Sequence, residues 1–575
     1  MVPEVTQPVG VQNEHDNVAV ISSPGMGRCL RALQDFQPKE VVLEEIPLVS
    51  APSGQTDLNT ETDKPYLICI GCYLSLKDNN DEAFNCENCG WPFCSELCHS
   101  QDITHKTMEC DIFKRKNIHQ CTESIRSVYF IRCICISKLE DTARWEKILN
   151  LTSTYQGGKN KEPDDKDLLV HNYLTNVCGL EISQELLANL NGFRTVNAFQ
   201  INYCEQELKR FYGMALYDVG SMASHACNPN SRWRTIKPDE KLGFPIRIQA
   251  NDLIRKGALV TIAYRNKCLT TGTLRRREEL FLGHGFLCQC DRCGDATEFN
   301  TYFSAQHCTH CAVGYLLPKT PSEPKSDWIC KTCGESEGVS FIREIIDRIT
   351  QQIRRAKEGK CKANETCCKL DIIIKKYTER ILHPNHYLII WAEFLWLQFL
   401  EYNLFLLKTT SLKYEIFALM TTRAKHCSDI YTKFFSQQSR FYGYFEKISG
   451  LAYYLYYLSP SIWNDMSDKQ RLRIMRTTLA HFESSLIYDG WDSDELRFIE
   501  TKLRHIKTIV PEGTIWSTSN KCGERLVIIY NISELCPSPQ RKKLFNSSAS
   551  FKRDIHLDYA VHTKIYGQWD FLELM

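Results

Sequence analysis

Closely spaced cysteines recur along this chain, and they constrain its fold more than any other feature. The chain contains 28 cysteines. Its polar N-terminal residues resemble no secretory signal, so we expect metal binding by reduced thiols instead of a disulfide framework. Zinc takes four ligands in a tetrahedron, commonly thiolates and imidazoles. The spacing therefore predicts several small zinc-stabilised units within a larger protein.

The first group of potential ligands follows the linker-like segment 51–64 and contains eight side chains. Eight ligands fill two tetrahedral zinc sites with none left over, so a chance cluster of structural cysteines is a poor alternative. The members are Cys69, Cys72, Cys86, Cys89, Cys94, Cys98, His105 and Cys110.

Two later groups of four cysteines complete the pattern. One is a Cys-x-Cys-x-x-Cys run with an upstream cysteine as its natural fourth ligand, and the other has the spacing of a zinc ribbon. The four predicted sites need sixteen ligands, and the chain supplies fifteen cysteines and one histidine at these positions. The later ligands are Cys227, Cys288, Cys290 and Cys293 for the first group, and Cys308, Cys311, Cys330 and Cys333 for the second.

The overall charge does not favour broad electrostatic binding to nucleic acid, although a local basic patch is compatible with it. Lys+Arg number 70 and Asp+Glu number 69, which gives a formal net charge of +1. Such a balance gives no support for a phosphate-binding surface, and no sequence-specific contact with nucleic acid is expected. With 575 residues and 43% apolar content, the chain is long enough for two to four packed domains.

One apolar stretch, 387–407, is long enough to span a bilayer. It contains Glu393 and Glu401, which are costly in lipid, so a buried helix of a helical domain is the better interpretation and no membrane contact is expected. The rest of the chain from Phe341 onward also shows helical periodicity.

The run Arg275-Arg276-Arg277 lies on a predicted helix, and we interpret it as a solvated helix face. The charged segment 157–166 is interpreted as a loop.

Several segments together carry a family resemblance. The run from Pro24 to Arg28 contains two glycines between strand-like segments, which alone favours an ordinary hairpin turn. The run from Ser224 to Asn230 resembles the core motif of the SET domain, the fold of protein-lysine methyltransferases, and the Cys-x-Cys-x-x-Cys run resembles its post-SET zinc tail. The first cysteine group resembles a MYND finger. A finger inserted in a SET domain defines the SET and MYND domain (SMYD) proteins, and the chain most resembles their arthropod-type branch.

The resemblance implies an α+β multidomain fold, in which a β-rich SET domain is split by the finger and followed by zinc-binding and helical regions. The helical region resembles the family's TPR-like domain, which packs over the SET cleft. The implied divisions are 1–64 for the first part of the SET domain, 65–111 for the MYND finger, 112–190 for a helical insert, 191–284 for the SET core, 285–337 for the post-SET and ribbon-like cysteines, and 338–575 for the C-terminal helices.

The MYND resemblance also implies how the eight ligands of the finger pair. Cys69, Cys72, Cys94 and Cys98 would hold one ion, and the remaining four ligands the other. His99 is a rival ligand, which we interpret as an exposed histidine because its neighbour Cys98 already serves a site. MYND fingers bind proteins, often through short proline-containing peptides, so a peptide ligand is expected here.

The SET resemblance assigns roles to residues outside the cysteine groups. The cofactor would be S-adenosylmethionine (AdoMet), besides three to four zinc ions, and Tyr264 and His284 would line the lysine channel. Asn197 matches a family asparagine that reaches the cofactor, although a plain helix start explains it equally well. The implied cofactor-binding residues are Gly25, Gly27, Arg28, Asn197, Ser224, His225 and Phe286.

Two positions depart from the family pattern. Ser224 stands where the core motif has an asparagine, so one good hydrogen bond worth about 1–3 kcal/mol is lost from the cofactor site. His284 stands where the family has its catalytic tyrosine, and a histidinium at this position would repel a sulfonium. Both substitutions favour weakened transfer.

Three functions follow from these observations. The chain is expected to be a protein-lysine methyltransferase, or a non-catalytic adaptor in transcriptional repression that binds partners through its finger. A transferase acting on another nucleophile is the third possibility. Partners would be a protein substrate or peptide ligand, with histones or corepressors such as deacetylases as examples. The family resemblance further implies a monomer that occurs in cytoplasm and nucleus.

Overall fold

The computed structural model describes most of the chain between residues 14 and 509. The described residues are 14–15, 17–53, 67–76, 83–139, 142–153, 165–201, 212–236, 243–265, 269–311, 313–358, 363–406, 414–435, 439–458, 466–487 and 493–509. Most of the loop predicted at 157–166 lies outside these residues, as does everything after 509.

The described strands are short, with two to six residues each. They are β1 (Glu14–His15), β2 (Val18–Ser23), β3 (Gly27–Ala32), β4 (Val41–Glu45), β5 (Val49–Pro52), β6 (Phe84–Asn85), β7 (Pro92–Phe93), β8 (Phe199–Ile201), β9 (Gly213–Leu216), β10 (Ser224–His225), β11 (Ser231–Thr235), β12 (Ile246–Ala250), β13 (Thr261–Ile262), β14 (Gln306–His307), β15 (Tyr315–Pro318), β16 (Trp328–Cys330) and β17 (Ser336–Glu337).

The helices lie in two parts of the chain, between residues 96 and 197 and after residue 273. They are α1 (Glu96–Gln101), α2 (Ile103–Thr107), α3 (Cys110–Lys116), α4 (Thr122–Lys138), α5 (Thr142–Leu149), α6 (Asp165–Asn172), α7 (Gln184–Asn197), α8 (Thr273–His284), α9 (Asp291–Gly294), α10 (Val339–Glu358), α11 (Ala363–Thr378), α12 (Tyr387–Leu406), α13 (Tyr414–Tyr431), α14 (Arg440–Leu458), α15 (Asp468–Ser485) and α16 (Ser493–Ile509). One π-helical turn, Tyr173–Val177, follows α6, and one 3₁₀ turn, Gly220–Met222, precedes β10.

Strands from the two ends of the SET region pair with each other across everything inserted between them. The strand β4 pairs antiparallel with β12, and β5 pairs antiparallel with β9. The strands β10 and β13 run parallel, with Ser224 opposite Thr261. Asn230 fixes this crossing, because its side chain accepts from the Thr261 N–H and donates to the Leu259 carbonyl. The crossing places the Ser224–Asn230 segment beside the segment that ends at Tyr264.

The finger packs into the SET body and shares its hydrophobic core. Trp91 and Phe113 stack with ring centroids 4.1 Å apart, and both belong to the same buried cluster as Val49 of β5 and Tyr217. The indole N–H of Trp91 donates to the Ile118 carbonyl, which joins the finger to the segment before α4. The finger is therefore fixed against the body by apolar packing and is not tethered only by its two chain connections.

The cysteine ribbon packs into a second core together with the C-terminal helices. Trp328 and Cys330 of β16 share one buried cluster with residues of α10, α12 and α13. The boundary placed at 338 therefore separates two parts of one packed unit. Residues 387–406 of the apolar stretch form α12, whose first turns are buried in this core. Among the described residues, no helix is long and apolar enough to span a bilayer.

Two local expectations are wrong. Arg276 and Arg277 are 0% and 3% exposed and do not form a solvated face. The Arg277 guanidinium donates to the carbonyl oxygens of Pro321 and Ser322, and Arg276 meets a buried carboxylate. Asn197 does not begin a helix: it is the last residue of α7, and the chain continues directly into β8.

Candidate functional site

The cysteines assemble into four compact groups whose geometry suits zinc. In each group the four ligand atoms lie within 4.8 Å of one another. The sulfur pairs that lie in contact are separated by 3.5 to 3.8 Å, far longer than a disulfide bond. A tetrahedron with zinc–sulfur bonds of about 2.3 Å has sulfur–sulfur edges of about 3.8 Å. The groups are Cys69, Cys72, Cys94 and Cys98; Cys86, Cys89, His105 and Cys110; Cys227, Cys288, Cys290 and Cys293; and Cys308, Cys311, Cys330 and Cys333.

A buried polar chain supports the histidine ligand of the finger. His105 Nε2 lies 3.3 Å from Cys89 Sγ, and its Nδ1 lies 3.1 Å from Glu109 Oε1. Arg132 of α4 donates to both oxygens of Glu109 and also to Tyr73 Oη and the Ser50 carbonyl. Burial raises the pKa of the Glu109 carboxyl, but Arg132 and His105 more than offset this and hold it below its ordinary value. Glu109 therefore stays ionised and orients the zinc-binding imidazole.

His99 is not the exposed histidine expected from the sequence. Its ring lies 5.0 Å from the Phe84 ring and 4.8 Å from the Phe93 ring, centroid to centroid, and the residue is half-buried. His99 lies outside both ligand groups of the finger. It packs between two aromatic rings because its neighbour Cys98 points into the first ligand group.

The post-SET cysteine group is joined to the core motif through His225. The backbone N–H of Tyr264 donates to His225 Nδ1 at 3.1 Å, so the ring proton resides on Nε2. That nitrogen lies 3.2 Å from Cys227 Sγ and can donate to a metal-bound thiolate. Burial lowers the pKa of His225 to about 3, which keeps the imidazole neutral. The arrangement fixes the tautomer and orientation of His225.

The loop before the core motif is held by a carboxylate from the opposite half of the SET body. Glu45, at the end of β4, accepts hydrogen bonds from the consecutive N–H groups of Asp218, Val219 and Gly220 at 2.7 to 3.0 Å. A β-carbon at Gly220 would lie 3.3 Å from Glu45 Oε2, so glycine permits this close approach. Burial raises the pKa of the Glu45 carboxyl although the three N–H groups oppose the shift. Glu45 thereby sets the path of the chain into Ser224.

The two glycines near the N-terminus form the turn between β2 and β3. Gly25 and Gly27 have φ angles of 77° and 75°, which L side chains rarely adopt. A β-carbon at either position would meet nothing within 4 Å, so both face open space. The segment therefore forms the hairpin turn predicted from the sequence, and it also leaves open space where a ligand could approach the backbone.

Thr152 connects this turn to Asn197. Arg28 Nη2 donates to Thr152 Oγ1 at 3.3 Å, and Asn197 Nδ2 donates to the Thr152 carbonyl at 2.7 Å. The same amide nitrogen donates to Phe193 within α7, so the donor side of Asn197 is committed inside the protein. Asn197 is thus placed near the turn, with its amide nitrogen bonded to two carbonyl oxygens of the protein.

Four rings surround the position where the resemblance places methyl transfer. The Tyr264 ring lies 5.2 Å from His225 and 5.1 Å from His284, and Phe286 lies within 6.4 Å of all three. The Tyr264 hydroxyl donates to the Ala223 carbonyl, and burial raises the pKa of Tyr264 to about 12. Tyr264 is therefore neutral and shapes the pocket through its ring.

His284 ends α8 with both ring nitrogens buried and without a hydrogen-bond partner. The Val196 main chain lies close to the ring but completes no hydrogen bond that meets ordinary geometry. Burial, followed by the charge of Arg265, lowers the pKa of His284 to about 4. The imidazole is neutral at physiological pH, so the repulsion between a histidinium and a sulfonium that the sequence suggested does not arise.

Several residues that build this site could not be recognised from the sequence. Glu45, Thr152 and Arg132 act through partners remote in sequence, and none lies in a recognisable spacing. The acidic residue four positions after His105 was the one available hint, because a carboxylate at that distance faces the histidine across one helical turn.

Comparisons with known proteins agree with this architecture. No protein-family model matches the chain. Isoform B of the SET domain-containing protein SmydA-8 of Drosophila melanogaster is 25% identical over 334 residues, covering 56% of this chain and 67% of that protein. A SET and MYND domain-containing protein of Dictyostelium discoideum is 24% identical over 347 residues, covering 51% and 63%. Over about half of its length, this chain is therefore similar to SET and MYND domain-containing proteins.

Other relatives carry enzyme names. The histone-lysine N-methyltransferase ASHR1 of Arabidopsis thaliana is 26% identical over 339 residues, covering 55% of this chain and 64% of that protein. The chain spans about two thirds of the length of these relatives, from 63% to 67%. The solved SET domain of LSMT bound to lysine and AdoHcy aligns with 87% of this chain and 86% of its own chain at 11% identity, with a TM-score of 0.23. The relatives thus include SET-domain histone-lysine methyltransferases as well as SET and MYND domain proteins.

Replacing Glu45 by glutamine should loosen the loop that leads into the core motif. The amide presents a donor where a backbone N–H needs an acceptor, so the free energy of unfolding should fall by about 1–3 kcal/mol. Hydrogen exchange should rise in peptides covering 217–226. The neighbouring Glu44→Gln is the control, because Glu44 is exposed and pairs with Arg247 at the surface. Equal effects of the two substitutions would contradict the assigned role of Glu45.

Proposed function

We propose that this protein transfers a methyl group from AdoMet to a lysine side chain of a protein. The observation that carries the proposal is His284, whose neutral ring has two unpartnered nitrogens beside the rings of Tyr264 and Phe286. Buried polar atoms without a partner are rare in folded proteins and mark places where a ligand completes the hydrogen bonding. Because the relative ASHR1 is a histone-lysine N-methyltransferase by name, histones are the first substrates to test.

The residues present fit AdoMet. Besides the nitrogens of His284, Ser221 Oγ is buried without a partner in the 3₁₀ turn held by Glu45. The turn at Gly25 and Gly27 leaves open space on its outer side. In the proposed complex this turn and Arg28 would hold the methionine end, while Ser224, His225 and Phe286 would hold the adenosine end. When bound, AdoMet would supply an electrophilic methyl group to a neutral amine.

The chain's own residues would position the amine and exclude water. The aromatic rings of Tyr264 and Phe286 would pack along the apolar stem of lysine and tolerate its charge on entry. His284, being neutral, could accept a hydrogen bond from the amine and hold its lone pair in line with the methyl group. Ser224 can make a single hydrogen bond where an asparagine makes two, so cofactor affinity should be reduced by roughly ten- to hundredfold.

Calorimetric titration of AdoMet into zinc-loaded protein tests the cofactor site first. We expect micromolar to millimolar binding, and His284→Tyr should raise transfer to a lysine peptide without changing the stoichiometry. The surface variant Arg247→Gln controls for general damage. Absence of binding at millimolar cofactor would overturn the enzyme proposal.

The neutrality of His284 predicts an unusual pH dependence. The folded pKa of about 4 lies below the ordinary value of 6.5. Because the folded state resists protonation, the stability that His284 contributes is complete above pH 6.5 and declines as pH falls towards 4. AdoMet affinity should therefore stay flat between about pH 5.5 and 8. A loss of affinity centred near pH 6.5, absent in His284→Asn, would contradict this assignment.

A second function is favoured by the surface of the finger. Leu97 of α1 and Ile103 of α2 are 65% and 62% exposed, although both are aliphatic. A protein-binding finger presents such side chains to a peptide, so we propose that this face recruits a partner protein, with corepressors as candidates. Leu97→Ser with Ile103→Ser should weaken binding of a proline-containing peptide array while leaving AdoMet binding unchanged.

Localisation in cytoplasm and nucleus stays a prediction.

A further inference from the structure

Two buried arginines lie between the post-SET cysteine group and the C-terminal helices. Arg276 belongs to α8 and Arg292 to α9, and both side chains are 0% exposed. Both meet the same carboxylate oxygen: Arg276 Nη1 lies 3.0 Å and Arg292 Nε lies 2.9 Å from Glu298 Oε2. Ser304 donates to the other oxygen of Glu298. We call Arg276, Glu298 and Arg292 the arginine bridge.

The first arm of the bridge touches a zinc ligand. Arg276 Nη2 donates to Cys293 Sγ at 3.3 Å and to Thr273 Oγ1 at 3.1 Å. Four thiolates around one Zn²⁺ leave two uncompensated negative charges, which are costly to bury. The bridge contributes two positive charges and one negative charge, so it offsets part of this excess. A charged donor to a coordinating sulfur also fixes the orientation of that sulfur.

The second arm holds the backbone of another ligand and reaches the helical core. Arg292 Nη1 donates to the carbonyl oxygens of Cys227 and Leu269 at 3.1 and 3.0 Å. Its guanidinium lies 3.6 Å from the centroid of the Phe434 ring and 5.2 Å from that of Phe303. Phe434 follows α13 and is buried in the core of the C-terminal helices. The distance suits a stacked cation–π contact.

A packing role alone does not account for this arrangement. Three charged side chains are buried at one point, where apolar residues of the same size would pack at a lower desolvation cost. What only these residues supply is a positive charge at Cys293 and a directional hold on the Cys227 carbonyl. Both contacts concern ligands of one predicted zinc site.

We propose that Arg276 and Arg292, joined by Glu298, are positioning residues that stabilise zinc at Cys227, Cys288, Cys290 and Cys293 and tie this site to the C-terminal helices. The proposal goes beyond methyl transfer, since it rests on zinc at this site and not on AdoMet chemistry. It makes the packing of Phe434 a determinant of zinc retention. Because α8 ends at His284, the same bridge would also hold the candidate transfer site in place.

Zinc release from the full-length protein tests the first arm. The zinc-loaded protein is mixed with a chromogenic chelator, and release is followed for wild type, Arg276→Met and the control Arg275→Met. Arg275 is the sequence neighbour, but it pairs with Glu279 and Asp347 and has no contact with the cysteines. The phase that is missing in Cys227→Ser identifies the post-SET ion. In Arg276→Met that phase should be about 10- to 100-fold faster, and the other phases unchanged.

Phe434→Leu tests the second arm without touching any ligand or charge. Its post-SET phase should accelerate by a few fold, whereas Phe435→Leu, at the adjacent half-buried ring, should release zinc like wild type. Hydrogen exchange should rise in peptides covering 286–295 in Phe434→Leu but not in Phe435→Leu. If Arg276→Met does not fold, Arg276→Lys and Phe434→Leu still decide the question. The proposal would be overturned if Phe434→Leu released the post-SET zinc at the wild-type rate and the Arg276 variant that folds did the same.

Discussion

Arg132→Met should lower the free energy of unfolding by about 3–5 kcal/mol. The substitution leaves the Glu109 carboxylate charged and unpaired in a position where it is 0% exposed, and it removes the donors to Tyr73 Oη and the Ser50 carbonyl. It also frees the carboxylate that orients His105, so the second ion of the finger should be held less tightly. Thermal and denaturant unfolding measure the stability, and a chelator measures the zinc.

The matched control is Arg247→Met. Arg247 pairs with Glu44 at 2.8 Å, but the two side chains are 30% and 46% exposed, so the loss should be about 0–1 kcal/mol. If Arg132→Met cost no more than this control, the polar chain from the finger to β5 would contribute nothing to stability.

Cys227→Ser should remove one zinc ion from the purified protein and abolish AdoMet binding. Losing one of four ligands should weaken the site by more than the roughly 10- to 100-fold that a supporting residue is worth. The loss reaches the cofactor region because His225 contacts Cys227 Sγ and Phe286 packs against the same cysteine group. Metal analysis by mass spectrometry and calorimetric titration provide the two measurements.

Cys178→Ser is the control for this experiment, because Cys178 is buried, at 3% exposure, and belongs to none of the four ligand groups. It should retain the wild-type zinc content and cofactor affinity. Full zinc content in Cys227→Ser would show that the post-SET group does not need its distant fourth ligand. Zinc loss with unchanged AdoMet binding would separate the metal site from the cofactor site.

The cysteine groups could be predicted from sequence because ligand spacing is set by local geometry. A Cys-x-x-Cys knuckle turns the chain so that both sulfurs face one point, whatever surrounds it. The buried charges could not be predicted in this way. Arg276 and Arg277 have the pattern of a solvated helix face, and only their distant partners Glu298 and Pro321 explain their burial.

The residues of the candidate transfer site also differ in whether the sequence could predict them. The glycine turn, His225 and His284 were found because they lie in recognisable segments, while Glu45 acts on Gly220 across 175 residues and leaves no local trace. The environment of His284 also required the fold, since the pKa of a histidine depends on its burial and neighbours and not on its flanking sequence.

The pairing of β4 with β12 sets an order of events during synthesis. Glu44 and Arg247, which face each other across these strands, are separated by 203 residues, and the whole finger lies between them. The first strands therefore leave the ribosome long before their partners exist, whereas the finger can close on zinc as soon as its own ligands have emerged. Zinc supply during translation should thus determine whether the exposed early strands wait beside a folded finger or beside an unfolded one.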